Sequence, residues 1–127
     1  EKNIKYTICE GFNSKKDFEI MLNNFIKNNF IPKIKIDGVF AVTDKYALNF
    51  IKKIKNLKIN IPDDVQIIGF DGSKSSIEDD FKISTIRQPV ELIAKESVKI
   101  LLKIIESKKV EKEVILPIKF IKGYTTK

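Results

Sequence analysis

The stretch VQIIGFDG at 65–72 decides the reading of this chain. Val65, Ile67, Ile68 and Phe70 make it an apolar run, and an apolar run of this length between turn signals reads as a buried strand. It ends on a carboxylate, Asp71, with Gly72 beside it. Burying a carboxylate is costly unless something pairs with it. Asp71 therefore needs a reason to stand there.

Working outward, NIPDD at 60–64 is a turn, with Pro62 fixing one backbone angle and Asp63 and Asp64 supplying turn chemistry. Before it, DGVFAVT at 37–43 reads as a second strand. Asp44 can cap a helix whose inward stripe is Ala47, Phe50, Ile51, Ile54 and Leu57. Nearer the start, residues 4–10 read as a strand. Asn13 or Ser14 can cap a helix with Phe18, Met21, Leu22, Phe25 and Ile26 at helical spacing, fading before Pro32. Beyond residue 72 the chain is polar and irregular to about 82, with room for one helical turn. Residues 84–87 are extended ahead of Pro89. Pro89 opens a long helix with a stripe of Val90, Ile93, Ala94, Val98, Leu101, Leu102 and Ile105, widened by Ile100 and Ile104. Such a wide stripe suggests more than one neighbour. A last strand at 114–122 contains Pro117, which fits an edge or a bulge.

Strands alternating with helices predict an α/β fold, a parallel sheet with helices on both faces. The continuous apolar runs at 39–42 and 67–70 agree, because parallel strands are buried on both sides.

Composition narrows the function. At 127 residues there is room for one domain with a core. No apolar run approaches the ~20 residues of a membrane span. There is no histidine, which argues against a zinc site or a hydrolase triad. No glycine-rich phosphate loop is present, so neither a metal nor a cofactor is expected. The single cysteine, Cys9, lies in an apolar run and reads as a small buried hydrophobe. The net charge of +7 comes from lysines spread along the chain, with one arginine, Arg87. Scattered lysines read as a solvated surface and not as a nucleic-acid footprint.

In open α/β sheets, ligands bind outside the carboxyl ends of the strands. Here those ends carry Glu10-Gly11-Phe12, Thr43-Asp44 and Phe70-Asp71. A carboxylate, a hydroxyl and an aromatic ring on one rim suit a small polyhydroxylated ligand. Asp44 reads more readily as a helix cap, Glu10 as a solvated acid, and Phe12 equally well as packing. Asp71 is the hardest to dismiss. Paired acids could do glycoside chemistry, but nothing marks one of them to stay protonated, and no enzyme is expected.

At this point the segments resemble those of a known family. NIPDDVQIIGFDG resembles the segment that marks LacI/GalR transcriptional regulators, where Pro-x-Asp leads into a strand ending Gly-Phe/Tyr-Asp. VFAVTDKYALNF resembles that family's strand followed by Asp-x-x-Ala-Leu. ISTIRQPVELIAKESVKILL resembles its Arg-Gln-Pro segment and following helix, and VILPIKFIKGYTT its last strand. These matches run in order from about residue 8 onward.

The resemblance implies the C-terminal part of a periplasmic-binding-protein-like (type I) effector domain. Residues 1–88 would be part of the C-terminal subdomain. Residues 89–127 would be a helix and strand that cross back to the N-terminal subdomain. A helix-turn-helix DNA-binding domain would precede residue 1. Effector contacts would fall on Asp71, Phe12 and Thr43, and the dimer interface on Leu48 and Asp44. The implied partners are a small effector, expected to be a sugar, a second copy in a homodimer, and operator DNA through the absent domain, in the cytoplasm and without a membrane. The alternative is a sugar-binding receptor of a membrane transporter with the same fold. There are departures from the family pattern. Gly72 stands where a second acid is common. Lys58 replaces a glycine after the helix and Asn49 a small residue within it. Lys82-Ile83-Ser84 replaces Pro-Leu-Thr.

Overall fold

The structure is a computed structural model that describes residues 4–10, 14–73 and 82–127. Helix α1 runs Lys15–Phe30 and starts as the sequence predicts: Asp17 N donates to Ser14 Oγ at 3.1 Å, and Ser14 Oγ donates back to the Asp17 carboxylate at 2.7 Å. Strand β1 is Gly38–Phe40 and helix α2 is Asp44–Ile54, followed by a 3-10 turn, Lys55–Leu57. Strand β2 is Gln66–Asp71, β3 is Ser84–Arg87, helix α3 is Val90–Ile105 and β4 is Lys119–Ile121.

The four strands form one sheet in the order β1-β2-β3-β4. β1, β2 and β3 are parallel, with Phe40 opposite Ile68 and Asp71 opposite Arg87. Residues 84–87, expected only as an extended crossing, are thus a strand of the sheet. β4 is antiparallel to β3, so the sheet is mixed at that edge. The expected strand at 114–122 shrinks to three residues just after Pro117, which has no N–H to give to a ladder. The expected strand at 4–10 carries no ladder, and without one its residues, Cys9 included, lie exposed. Partial desolvation pushes the Cys9 thiol above its ordinary range, which is not the state of a reactive cysteine.

α2 packs on β2, and α1 packs on α2. Their shared core holds Phe18, Leu22, Ile26 and Phe30 of α1 with Ala47, Phe50, Ile51 and Ile54 of α2, over Val65, Ile67 and Ile83. The Phe50 ring meets those of Phe25 and Phe30, with centroids 6.1 and 5.5 Å apart. At the surface Lys53 ties the two helices through Glu19 and Asn23. The opposite sheet face carries Phe40 against Phe70, and there Phe40 and Phe120 stay exposed. Helices therefore cover one face among the described residues, not both.

The last residues do not leave the sheet. Thr125 Oγ1 donates to Ile67 O at 2.6 Å and accepts from Ser84 N at 2.9 Å, while Ser84 and Thr126 share a hydroxyl bond at 2.7 Å. Gly123 N donates to Ser84 Oγ at 2.9 Å, and a Cβ at Gly123 would overlap the Lys82 carbonyl. The chain end at 123–126 is thus stitched to β2 and β3. α3 behaves differently. None of its residues is buried, and Val98, Leu101, Leu102, Ile104 and Ile105 are all more than half exposed. The stripe is present, but it finds no burial on this sheet, whose covered face is already filled by α2.

Phe50→Ala should lower stability by about 3–5 kcal/mol, because a fully packed ring is lost from between two helices; urea unfolding of the intact protein checks this. Lys58 ends the 3-10 turn in the left-handed region, at φ 55°. Only glycine adopts that region without strain. Lys58→Gly, which restores the residue of the resembling family, should raise stability by up to about 1 kcal/mol in the same assay.

Candidate functional site

β2 is hydrogen-bonded on both sides, so its apolar residues fill the interior and its first free chemistry comes at its end. There Asp71 adopts φ 113° and Gly72 φ 67°, both in the region that disfavours side chains. Asp71 is held in that shape from both ends by one residue. Gln88 N donates to the Asp71 carbonyl at 3.2 Å, and Gln88 Nε2 donates to Asp71 Oδ1 at 2.9 Å. Gln88 follows β3 directly, so the parallel pairing of β2 and β3 delivers it to this place. Among the described residues, no other side chain bonds the Asp71 carboxylate.

Gly72 packs against Arg87. A Cβ there would come within 2.6 Å of both Arg87 Cα and Arg87 Cβ. The chain thus needs a glycine at the position where the resembling family commonly has an acid. Asp71, Gly72, Ser73, Arg87, Gln88 and Lys95 share an open cleft of about 760 Å3 with the start of α3. That volume falls within the range of small-molecule sites.

Thr43 and Asp71 each stand three residues beyond the paired Phe40 and Ile68, Asp71 as the last residue of β2 and Thr43 beyond the end of β1, so both lie at the carboxyl rim of neighbouring parallel strands. The Thr43 side chain caps α2, accepting from Tyr46 N at 3.3 Å. Thr43, not Asp44, is therefore the cap. Asp44 is the first residue of the helix and is turned inward: it is 2% exposed, with its carboxylate accepting from Thr85 Oγ1 at 2.5 Å and from Ser73 N at 3.0 Å. Leu48 packs at the edge of the core. Phe12 lies outside the described residues. No group of three metal-ligating side chains occurs among the described residues.

Gln88 and Thr85 were not among the residues singled out from the sequence. A signal for each exists. Gln88 is the polar residue between a strand and a proline. Thr85 is a hydroxyl two residues after Ile83, on the same face of the extended segment as that apolar side chain.

The described residues form an α/β domain with a held carboxylate at the carboxyl rim of its parallel strands, beside an open cleft. The periplasmic binding protein-like domain matches residues 4–126. The sucrose operon repressor of Streptococcus mutans is 38% identical over 90 residues, covering 70% of this chain and 28% of that protein. The HTH-type transcriptional regulator MalR of Clostridium butyricum is 36% identical over 90 residues, covering 70% and 27%. Among solved structures, a LacI family transcriptional regulator from Enterococcus faecium with bound ribose superposes with a TM-score of 0.69 at 28% identity, covering 90% of this chain and 41% of that one. The lac repressor dimer bound to operator and an anti-inducer superposes with a TM-score of 0.74 at 21% identity, covering 89% and 38%, and shares the fold.

The chain belongs to the periplasmic binding protein-like domain family and, within it, to the LacI/GalR branch. It spans less than a third of the length of these two curated relatives.

Gly72→Ala should destabilise the intact protein by about 1–3 kcal/mol, since a side chain there meets both a left-handed backbone and Arg87. Thermal unfolding measures this, and an unchanged midpoint would contradict the close approach of the two segments.

Proposed function

We propose that this chain is the effector-binding and dimerisation portion of a transcriptional regulator whose ligand is a sugar. The observation that carries the reading is the Asp71 carboxylate. Gln88 holds one of its oxygens at 2.9 Å, and the residue opens on a cleft. A carboxylate so fixed can accept ligand hydroxyls with its remaining lone pairs, and charge-assisted bonds are the strong ones. Solved neighbours with bound ribose and with cellobiose support a sugar.

In this reading Thr43 and Phe12 flank the ligand beside Asp71. Leu48, on the same helix as Asp44, contributes to a homodimer contact. Helix α3 packs against the remaining part of the effector domain, which accounts for a stripe its own sheet does not bury. Operator DNA is bound by a separate helix-turn-helix domain in the cytoplasm, and no step of catalysis is involved. No described helix is long and apolar enough to cross a membrane. Sugar binding changes DNA affinity by favouring one arrangement of the domain over another, so the effect is bounded by the difference in sugar affinity between the two.

Asp71→Ala in the intact protein should weaken binding of ribose, cellobiose or sucrose, whichever binds the wild type, by roughly 10- to 150-fold. The thermal midpoint without sugar should stay close to that of the wild type. Titration calorimetry measures the affinity, and an unchanged value would remove Asp71 from the site.

A further inference from the structure

The helix start at Asp44 could be served by an exposed acid. Instead the carboxylate is buried, and both of its oxygens are committed to segments far away in sequence. Oδ1 accepts from Thr85 on β3, and Oδ2 accepts from Ser73 N, two residues after Asp71. Thr85 is itself fully buried and stands three residues before Gln88. Gly69 makes the space: a Cβ there would overlap Asp44 Oδ1 and lie 3.2 Å from Asp44 Cα. The helix N-terminus adds a favourable field for the negative charge.

We propose that Asp44 is a positioning residue for Asp71, a buried bracket that fixes residues 72–73 against β3 and the first turn of α2. Two contacts then define where the ligand-facing carboxylate points. Gln88 holds the Asp71 side chain and carbonyl directly, and Asp44 holds the backbone that leaves it. The loop needs both, because Asp71 and Gly72 have positive φ and would relax without an anchor on the far side. Asp44 touches no ligand in this role. It acts through Ser73.

The inference rests on the effector reading of Asp71, and its test separates the two. In the intact protein, amide hydrogen exchange is followed by NMR at Ser73 and, as a reference for the core, at Ile54. Affinity for the sugar found above, ribose, cellobiose or sucrose, is measured by calorimetry. Asp44→Ala, which removes both acceptor oxygens, should speed Ser73 exchange roughly 10-fold or more, leave Ile54 unchanged and weaken sugar binding at least several-fold. Thr85→Val, which removes the other anchor, should act in the same direction. Thr85→Ser keeps the hydroxyl and should behave as the wild type on both readouts. If Asp44→Ala does not fold, the Thr85 pair decides. Unchanged Ser73 exchange in the variants lacking the bond overturns the bracket. Faster exchange with unchanged sugar affinity overturns the positioning role. If Asp71→Ala leaves sugar binding intact, the effector reading is the one that fails, and exchange at Ser73 alone decides the bracket.

Discussion

β2 is hydrogen-bonded along both edges, to β1 on one side and β3 on the other, and the rest of the structure follows from that constraint. A strand paired on both sides with parallel neighbours has no solvent edge. Its residues alternate between the face packed under α2 and the face that carries Phe40 and Phe70, and its carboxylate stands at its end. At the amino end, Thr125 accepts and donates to close the backbone of β2 and β3. At the carboxyl end stands Asp71. The same pairing brings Gln88 to Asp71 and Thr85 to Asp44, because β3 runs in register beside β2. The site is thus a product of the sheet's direction, and three segments distant in sequence meet there without any long side chain reaching for them.

Much of this was legible in the residues, and where it was not the reason is physical. The helices were readable because their apolar positions recur and their ends are marked: Ser14 with Asp17 opens α1, and Pro32 follows its end. The central strands were readable because a run such as QIIGF has no polar face. The strand at 84–87 was not, since four residues ahead of a proline look extended whether or not anything pairs with them. The segment 4–10 failed in the opposite sense. Its pattern is strand-like, yet a strand exists only through a partner, and this one has none among the described residues. Periodicity also cannot say what covers a face. It found the stripe on α3 correctly and could not say that this sheet leaves it bare.

The site residues divide along the same line. Asp71 could be singled out as a candidate because a carboxylate after a buried run is costly and therefore informative. Asp44 carried the opposite ambiguity. An aspartate at a helix start has so ordinary an explanation that its burial could not be inferred. Only the tertiary contact shows that Thr43 takes the capping role and frees Asp44 to turn inward. Leu48, by contrast, sits at the core's edge on the next turn, where a helical stripe would put it.

Gly72 fixes the local backbone at the rim. The resembling family commonly has a second acid at this position. Here the backbone at 72 lies too close to Arg87 for any Cβ, so the second carboxylate is excluded by geometry as well as by sequence. The loss leaves Asp71 as the carboxylate of this rim and brings the Arg87 backbone up against it. On the proposed effector reading, recognition depends on how well Asp71 is aimed, which makes Gln88, bonded to its carboxylate, and Ser73, bonded to Asp44, more consequential than in a site where two acids share the ligand.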